Sequence, residues 1–381
     1  MSKLKFILWL IAFFLMRNKI FAQINNSLLS QEITLADSLE KKVSLSVSNQ
    51  NFLKNNEYFN QITTGYTLFG SLLSTQIAYQ PTKNLKLQAG VFLRKDFGNP
   101  IIQSIEPLLT LKYQKNGYSF LIGNLEGNLS HRLIEPIFNY ERFITNYNEN
   151  GIQIKVDKKK IWSDTWINWE VMQYNQSNYQ EEFAAGNSTR YHIINNAQNK
   201  LTAIFQGIVT HKGGQIDIDT NAVHSKTNLA LGFMYKRKLK GFFTEWNTQN
   251  YYTLYKELAA PASVAISEGS GYYLNTEVKT KYHVYANMSY WNAMNYLAPR
   301  GGDLFQSMSS IYAQNKVTKK NRQLLFMRLG YQKQIFENFN VDVRFEPYVD
   351  LVNHFFEHSY SIYITYKKDF HLFNEKSNTK N

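Results

Sequence analysis

The chain contains no cysteine. That absence removes disulfide staples, thiol nucleophiles and cysteine-based metal sites together. Proline is scarce, at 7 of 381 residues, so long stretches can extend without losing a ladder donor. Long apolar runs are scarce too. The run 6–16 is too short to cross a bilayer as a helix, and no second one follows. There is no Gly-rich phosphate loop, no dinucleotide fingerprint and no G-x-S-x-G motif. These absences exclude a helical membrane protein and leave the common nucleotide-binding and α/β-hydrolase chemistries without their motifs.

What is present points elsewhere. Lys3 and Lys5 precede the apolar run 6–16, and Ile20, Phe21, Ala22 and Gln23 close the leader, which suits a secretory signal cut after Ala22. Residues 1–22 are therefore expected to be a signal peptide. Residues 42–370 are expected to form the folded body, 23–41 a polar segment that lies in the periplasm or plugs one end of that body, and 371–381 a polar tail. Mean hydropathy is only −0.40 although 44% of residues are apolar and 15% aromatic. A transmembrane barrel has this combination, because its outer face and aromatic girdles are apolar while lumen and loops stay polar. The formal charge of +13 comes partly from clusters at 158–160 and 236–238. These fall at turns, not along one helix face, so no nucleic-acid partner is expected.

The alternation is explicit. Leu85, Leu87, Ala89, Val91 and Leu93 interleave with Lys86, Gln88, Gly90, Phe92 and Arg94, which is the period of a strand with two unlike faces. The same plan recurs at 201–209, 229–235, 282–290 and 360–366. Turn-forming clusters punctuate it at 81–84, 115–117, 157–160, 195–199, 236–240, 280–281 and 337–340. Seven tight turns with both termini on one side predict an all-β, closed antiparallel transmembrane β-barrel of about 16 strands, with short periplasmic turns and long extracellular loops. The longest loops are expected at 125–150, 251–270 and 292–321.

A charged side chain facing lipid at mid-bilayer costs roughly 2–4 kcal/mol, so the polar faces should line the lumen. The pore-lining candidates are Lys86, Gln88, Arg94, Glu106, Lys112, Glu245, Asp342, Arg344 and Glu346. The third long connection carries His131, Arg132, Glu135, Glu141 and Arg142. These residues either set selectivity as a constriction loop or simply knit that loop together. His354, Glu357 and His358 match an H-x-x-E-H pattern, but their neighbours read as strands, and zinc chemistry needs both histidines on one helical face. Ser130 and His131 are adjacent in sequence and would point apart in a strand, Glu170, Glu181 and Glu182 offer no fixed separation, and His192, His211, His224 and His283 suggest no shared site. No catalytic residue, metal site or cofactor is assigned, and the chain is expected not to be an enzyme.

The run Gly123, Asn124, Leu125, Glu126, Gly127, then 131–136, Asn150 and Gly151, 166–170 and 180–183, resembles porin-like outer-membrane proteins of Bacteroidota. The resemblance implies a barrel in the outer membrane of a Gram-negative bacterium and carries over no catalytic residues. The expected function is passive diffusion of small polar solutes through a porin-like channel. The alternative is a plugged or structural barrel serving an export or adhesion system. Expected partners are outer-membrane lipid, small polar solutes, the outer-membrane assembly machinery and further copies of the chain in a homo-oligomer.

Overall fold

A computed structural model describes residues 26–259, 265–311, 313 and 315–374; the expected signal segment 1–22 and the part of the expected tail beyond 374 lie outside them. The strands are β1 (Lys42–Glu57), β2 (Thr67–Thr82), β3 (Leu85–Asp96), β4 (Ser104–Lys115), β5 (Tyr118–Asn124), β6 (Asn150–Asp157), β7 (Ile161–Val171) and β8 (Glu181–Asn195). They continue as β9 (Asn199–Gly213), β10 (His224–Lys238), β11 (Phe243–Ala259), β12 (Glu268–Thr280), β13 (Val284–Met294), β14 (Asn321–Phe336), β15 (Phe339–Asp350) and β16 (Phe355–Asn374). Each pairs antiparallel with its sequence neighbours, and β1 pairs β16 in a register that sets Asn49 against Tyr366 and Leu53 against Ile362. The sheet is a closed barrel of sixteen strands.

The tight turns gather at one end of the barrel, the turn end, and the longer connections at the other, the loop end. Two expected boundaries move. The stretch 251–270 is mostly strand, since β11 continues to Ala259 and β12 begins at Glu268. β16 runs past Phe370 to Asn374. The alternation turns Leu87, Val91, Leu231 and Phe233 outward and Gln88, Phe92, Ala230 and Met234 inward.

The barrel is filled. The segment before β1, the loop 125–149 and the stretch 296–307 all fold into the lumen. Leu29, Leu129, Phe143 and Ile144 pack there against Phe52, Phe92 and Tyr363 of the wall. On the opposite side Ile134, Phe138, Leu304 and Phe305 pack against Trp166, Tyr273, Trp291 and Phe326. The segment before β1 carries two short 3-10 turns, Ser27–Leu29 and Asp37–Leu39, and is tied to the loop by hydrogen bonds. Gln31 N–H donates to Ser130 Oγ (2.8 Å), which donates in turn to Gln31 O (2.8 Å), and Ile33 N–H donates to Glu126 Oε1 (2.8 Å).

One part of the wall is low. β5 and β6 are 7 and 8 residues long against 15 for each of β8, β9 and β10, so β4 rises beyond its partner. Asparagine side chains finish the ladders there. Leu109 N–H donates to Asn124 Oδ1 (2.6 Å) and Asn150 N–H donates to Asn168 Oδ1 (2.7 Å). Backbone donors alternate sides along a strand, so residue 107 faces the same gap as Leu109. It is proline and has no donor to leave unpaired. Gly123 makes the inward bend at φ +102°, where a Cβ would stand 2.0 Å from Leu109 O.

Leu231 lies at the middle of β10, 55% exposed on the outward face. Leu231→Lys should destabilise the barrel in vesicles by roughly 2–4 kcal/mol, read from chemical unfolding at equilibrium.

Candidate functional site

The charges expected to line a pore do face inward, but they are engaged. Lys86 donates to Thr34 O (3.1 Å), and Lys112 donates to Glu126 (2.6 Å) and Ile33 O (2.6 Å). Arg94 pairs with Asp96 (2.8 Å) and donates to Ile144 O (3.2 Å), while Glu106 accepts from Asn148 (2.7 Å). Glu245 sits between Lys236 (2.5 Å) and Lys279 (3.3 Å), Asp342 pairs with Arg344 (2.7 Å), and Glu346 pairs with Lys54 (2.7 Å) and Arg328 (3.0 Å). Gln88 is buried on the same inner face. Most of these contacts run to the plug or to a neighbouring strand, so the lining holds the plug instead of a free aqueous column.

Four of the five loop residues are likewise bound, whereas Arg132 lies over Trp162 with only half-exposed Glu32 near it, at 3.6 Å. Glu135 pairs with Arg328, Arg142 with Glu170 (3.1 Å), and Glu141 accepts from Asn56 (2.8 Å) and Tyr66 (2.5 Å). Glu170 also pairs with Arg300, so one carboxylate joins both inserted loops to β7. Glu182 pairs instead with Lys212 (2.5 Å), so Glu170 and Glu182 are not gathered into one acid pair. His354 lies in the turn before β16 and His358 within β16, and no metal-holding group of His, Cys, Asp or Glu is found among the described residues.

His131 is the tightest knot. It is fully buried, stacked on Trp166 at 3.6 Å, with Nδ1 2.9 Å from Asp164 and Nε2 2.8 Å from Glu149. Both ring nitrogens donate, so the ring is an imidazolium clamped between two carboxylates and has no lone pair left for base catalysis. Ser130 beside it is spent on Gln31. Burial pulls the His131 pKa down, but the Glu149 and Asp164 carboxylates more than offset it and raise it to about 9. Burial pushes Glu149 up, and the charge of His131 more than offsets that, leaving it below its ordinary value.

A second constellation lies on the outward face at the loop end. In register across β7, β8, β9 and β10 stand Trp169, Phe183, His211 and Ser225. Trp169 stacks on Phe183 at 5.0 Å and Phe183 on His211 at 5.0 Å. His211 Nδ1 is 2.8 Å from Ser225 Oγ. In the tautomer with its proton on Nε2, His211 accepts the serine proton, which is the geometry of a nucleophile with its base. No carboxylate bonds Nε2 among the described residues; the flat face of Phe183 fixes the ring instead. In sequence His211 is one of four scattered histidines with no shared site. It stands 14 residues from Ser225 across a loop, and only the strand register brings the two together.

The family model for the lipid A 3'-O-deacylase type matches residues 34–375. The chain belongs to this family. That membership overturns the expectation of a non-enzyme, because this is an enzyme family. No curated protein matches the deacylase-type chain by sequence. Among solved structures it is similar to the outer membrane protein OprD from Pseudomonas aeruginosa, with TM-score 0.50, 9% identity, and coverage of 87% of this chain and 95% of that one. It is also similar to a loop L8 deletion mutant of OmpT, an outer membrane protein of Vibrio cholerae, with TM-score 0.50, 11% identity, and coverage of 86% and 99%. At such identities the likeness establishes the porin-like barrel fold.

The two shifted groups of the knot set a pH window for the plug. His131 contributes fully below its ordinary 6.5 and loses that contribution as pH rises through about 9; Glu149 contributes fully above 4.5 and loses it as pH falls through its lowered folded value. Protection of residues 125–149 against hydrogen exchange, taken relative to the intrinsic rate at each pH, should be greatest between pH 4.5 and 6.5 and fall on either side. His131→Gln should remove the alkaline limb, which corresponds to roughly 3 kcal/mol of plug stability.

Proposed function

We propose that this barrel resides in the outer membrane of a Gram-negative bacterium and hydrolyses an acyl ester of an outer-leaflet lipid, with lipid A as the substrate class its family is named for. The observation that carries the reading is the 2.8 Å contact of Ser225 with His211 on the outward wall, beside Trp169 and Phe183. Tryptophan and phenylalanine at strand ends mark the level of the headgroups, and the loop end faces outward from the cell when the tight turns are periplasmic. An ester between sugar and fatty acid lies at that depth. The resemblance to porin-like barrels of Bacteroidota fits the same location.

The chemistry follows from the pair. Ser225 Oγ attacks the ester carbonyl while its proton passes to His211 Nδ1, forming an Oγ–C bond. The ester C–O bond then breaks and His211 returns the proton to the departing sugar oxygen. Water, deprotonated by the same nitrogen, releases the fatty acid and restores the serine. Phe183 acts as a positioning residue by holding the imidazole plane.

Passive diffusion of small polar solutes draws its support from the charged inner lining and from interior cavities of about 340 and 160 Å³. The three inserted segments weigh against it, since a solute would have to displace them.

Purified barrel in vesicles containing lipopolysaccharide should release fatty acid, followed by mass spectrometry. Ser225→Ala should lower the rate by a factor on the order of 10³ and His211→Asn by a similar factor, with the barrel still heat-modifiable on gels. Fatty-acid release unaffected by either substitution, or none from the native chain, would sink the reading.

A further inference from the structure

Beneath the plug, on the turn-end side, the lumen holds its cavity of about 340 Å³. Its walls are β8 to β12 near their turn-end limits, its roof is the inserted loop around Arg132, and one flank is the segment before β1. Four of its charged groups cancel among themselves: Lys236 and Lys279 against Glu245, and Lys279 against Glu277 at 3.5 Å.

The remaining cations do not cancel. Arg132 and Arg190 converge on one face-stacking partner, Trp162, with their guanidinium carbons 4.2 and 5.9 Å from its ring centroid. Arg190 Nη2 donates to Arg132 O at 3.1 Å, which fixes the two side by side. Lys200 enters the same cavity from β9. Two acids face this trio: Glu32, 3.6 Å from Arg132 and half-exposed, and Asp157, whose charge reaches Lys200 without forming an ion pair with it among the described residues. Arg190 makes no ion pair among the described residues, and its Nε is buried with no hydrogen-bond partner.

Two guanidinium groups held together in a confined space repel each other and lose hydration, and both penalties are relieved by an anion that accepts from both. Planar forks beside an ammonium match a tetrahedral oxyanion with several acceptor oxygens better than a single carboxylate. The volume admits a small solute carrying such a group, and the polar surfaces of Asn247 and Gln249 on the far wall suit its uncharged remainder.

We propose that this cavity is a binding site for phosphate and small phosphate monoesters entering from the periplasmic mouth. It lies on the inner side of the wall, away from Ser225 and His211, and so is independent of the proposed ester chemistry.

Isothermal titration of the full refolded chain in detergent provides the test, with inorganic phosphate, glucose 6-phosphate and unphosphorylated glucose as probes. Both phosphates should bind saturably at one site, more weakly as salt is raised, and glucose should not; the first two probes separate the free ion from its ester. Arg190→Gln should weaken binding at least tenfold. Lys200→Gln, at a position that makes no ion pair among the described residues, should weaken it several-fold in a barrel of unchanged thermal midpoint, which guards against a loss caused by misfolding. Absence of phosphate binding by the native chain, or equal affinity in the native chain and both variants, would overturn the proposal.

Discussion

In a membrane wall every backbone donor and acceptor needs a protein partner, because lipid offers none. That constraint organises the molecule. Closure of β1 on β16 leaves no edge along the full strands. Where β5 and β6 stop short, the same requirement is met by other means: Asn124 and Asn168 supply side-chain oxygens to backbone donors, and Pro107 removes a donor altogether. The low stretch of wall is also where the long loop turns inward at Gly123.

The inserted loop changes what the inner wall must be. A water-filled barrel needs polar inner residues, whereas this one carries Phe52, Phe92, Trp166, Tyr255, Tyr273, Trp291 and Phe326 facing inward against the plug. Charged inner residues are then clamps at the margins of that packing. The outward wall is left as the surface where a lipid can meet a serine and a histidine, and the turn-end cavity as the space where an aqueous solute can meet unpaired cations. The two candidate activities occupy opposite sides of one sheet.

The barrel and its turns are legible in the sequence because they rest on local rules. Strand alternation around Leu85 to Leu93 and turn residues such as Asn116 and Gly117 declare themselves in any context. The stretch from Tyr251 reads as loop for a reason the structure supplies. Its inner residues Tyr251 and Tyr255 pack on the plug while Tyr252 and Leu254 face outward, so both faces are apolar and the period of two vanishes. The plug itself leaves a trace in the sequence, the apolar residues Leu133, Ile134, Ile137, Phe138, Phe143 and Ile144, in a connection that barrel topology alone would place outside. The histidine–serine contact leaves none, because it depends on the registers of β9 and β10. The family membership likewise comes from the whole chain and from no single motif.

The segment before β1 lies inside the lumen, yet β1 is one side of the seam that closes the barrel, and the seam joins residues such as Ser46 and Asp369 that are 323 positions apart. Such a closure is the slowest kind of contact to form, since the whole intervening chain must first be gathered. Ser30, in the segment that leads into β1, accepts from Lys367 of β16, while Gln31 and Ile33 beside it bind Ser130 and Glu126 of the plug. The amino-terminal strap thus ties the last strand to the filling of the barrel next to the seam that the first strand must close.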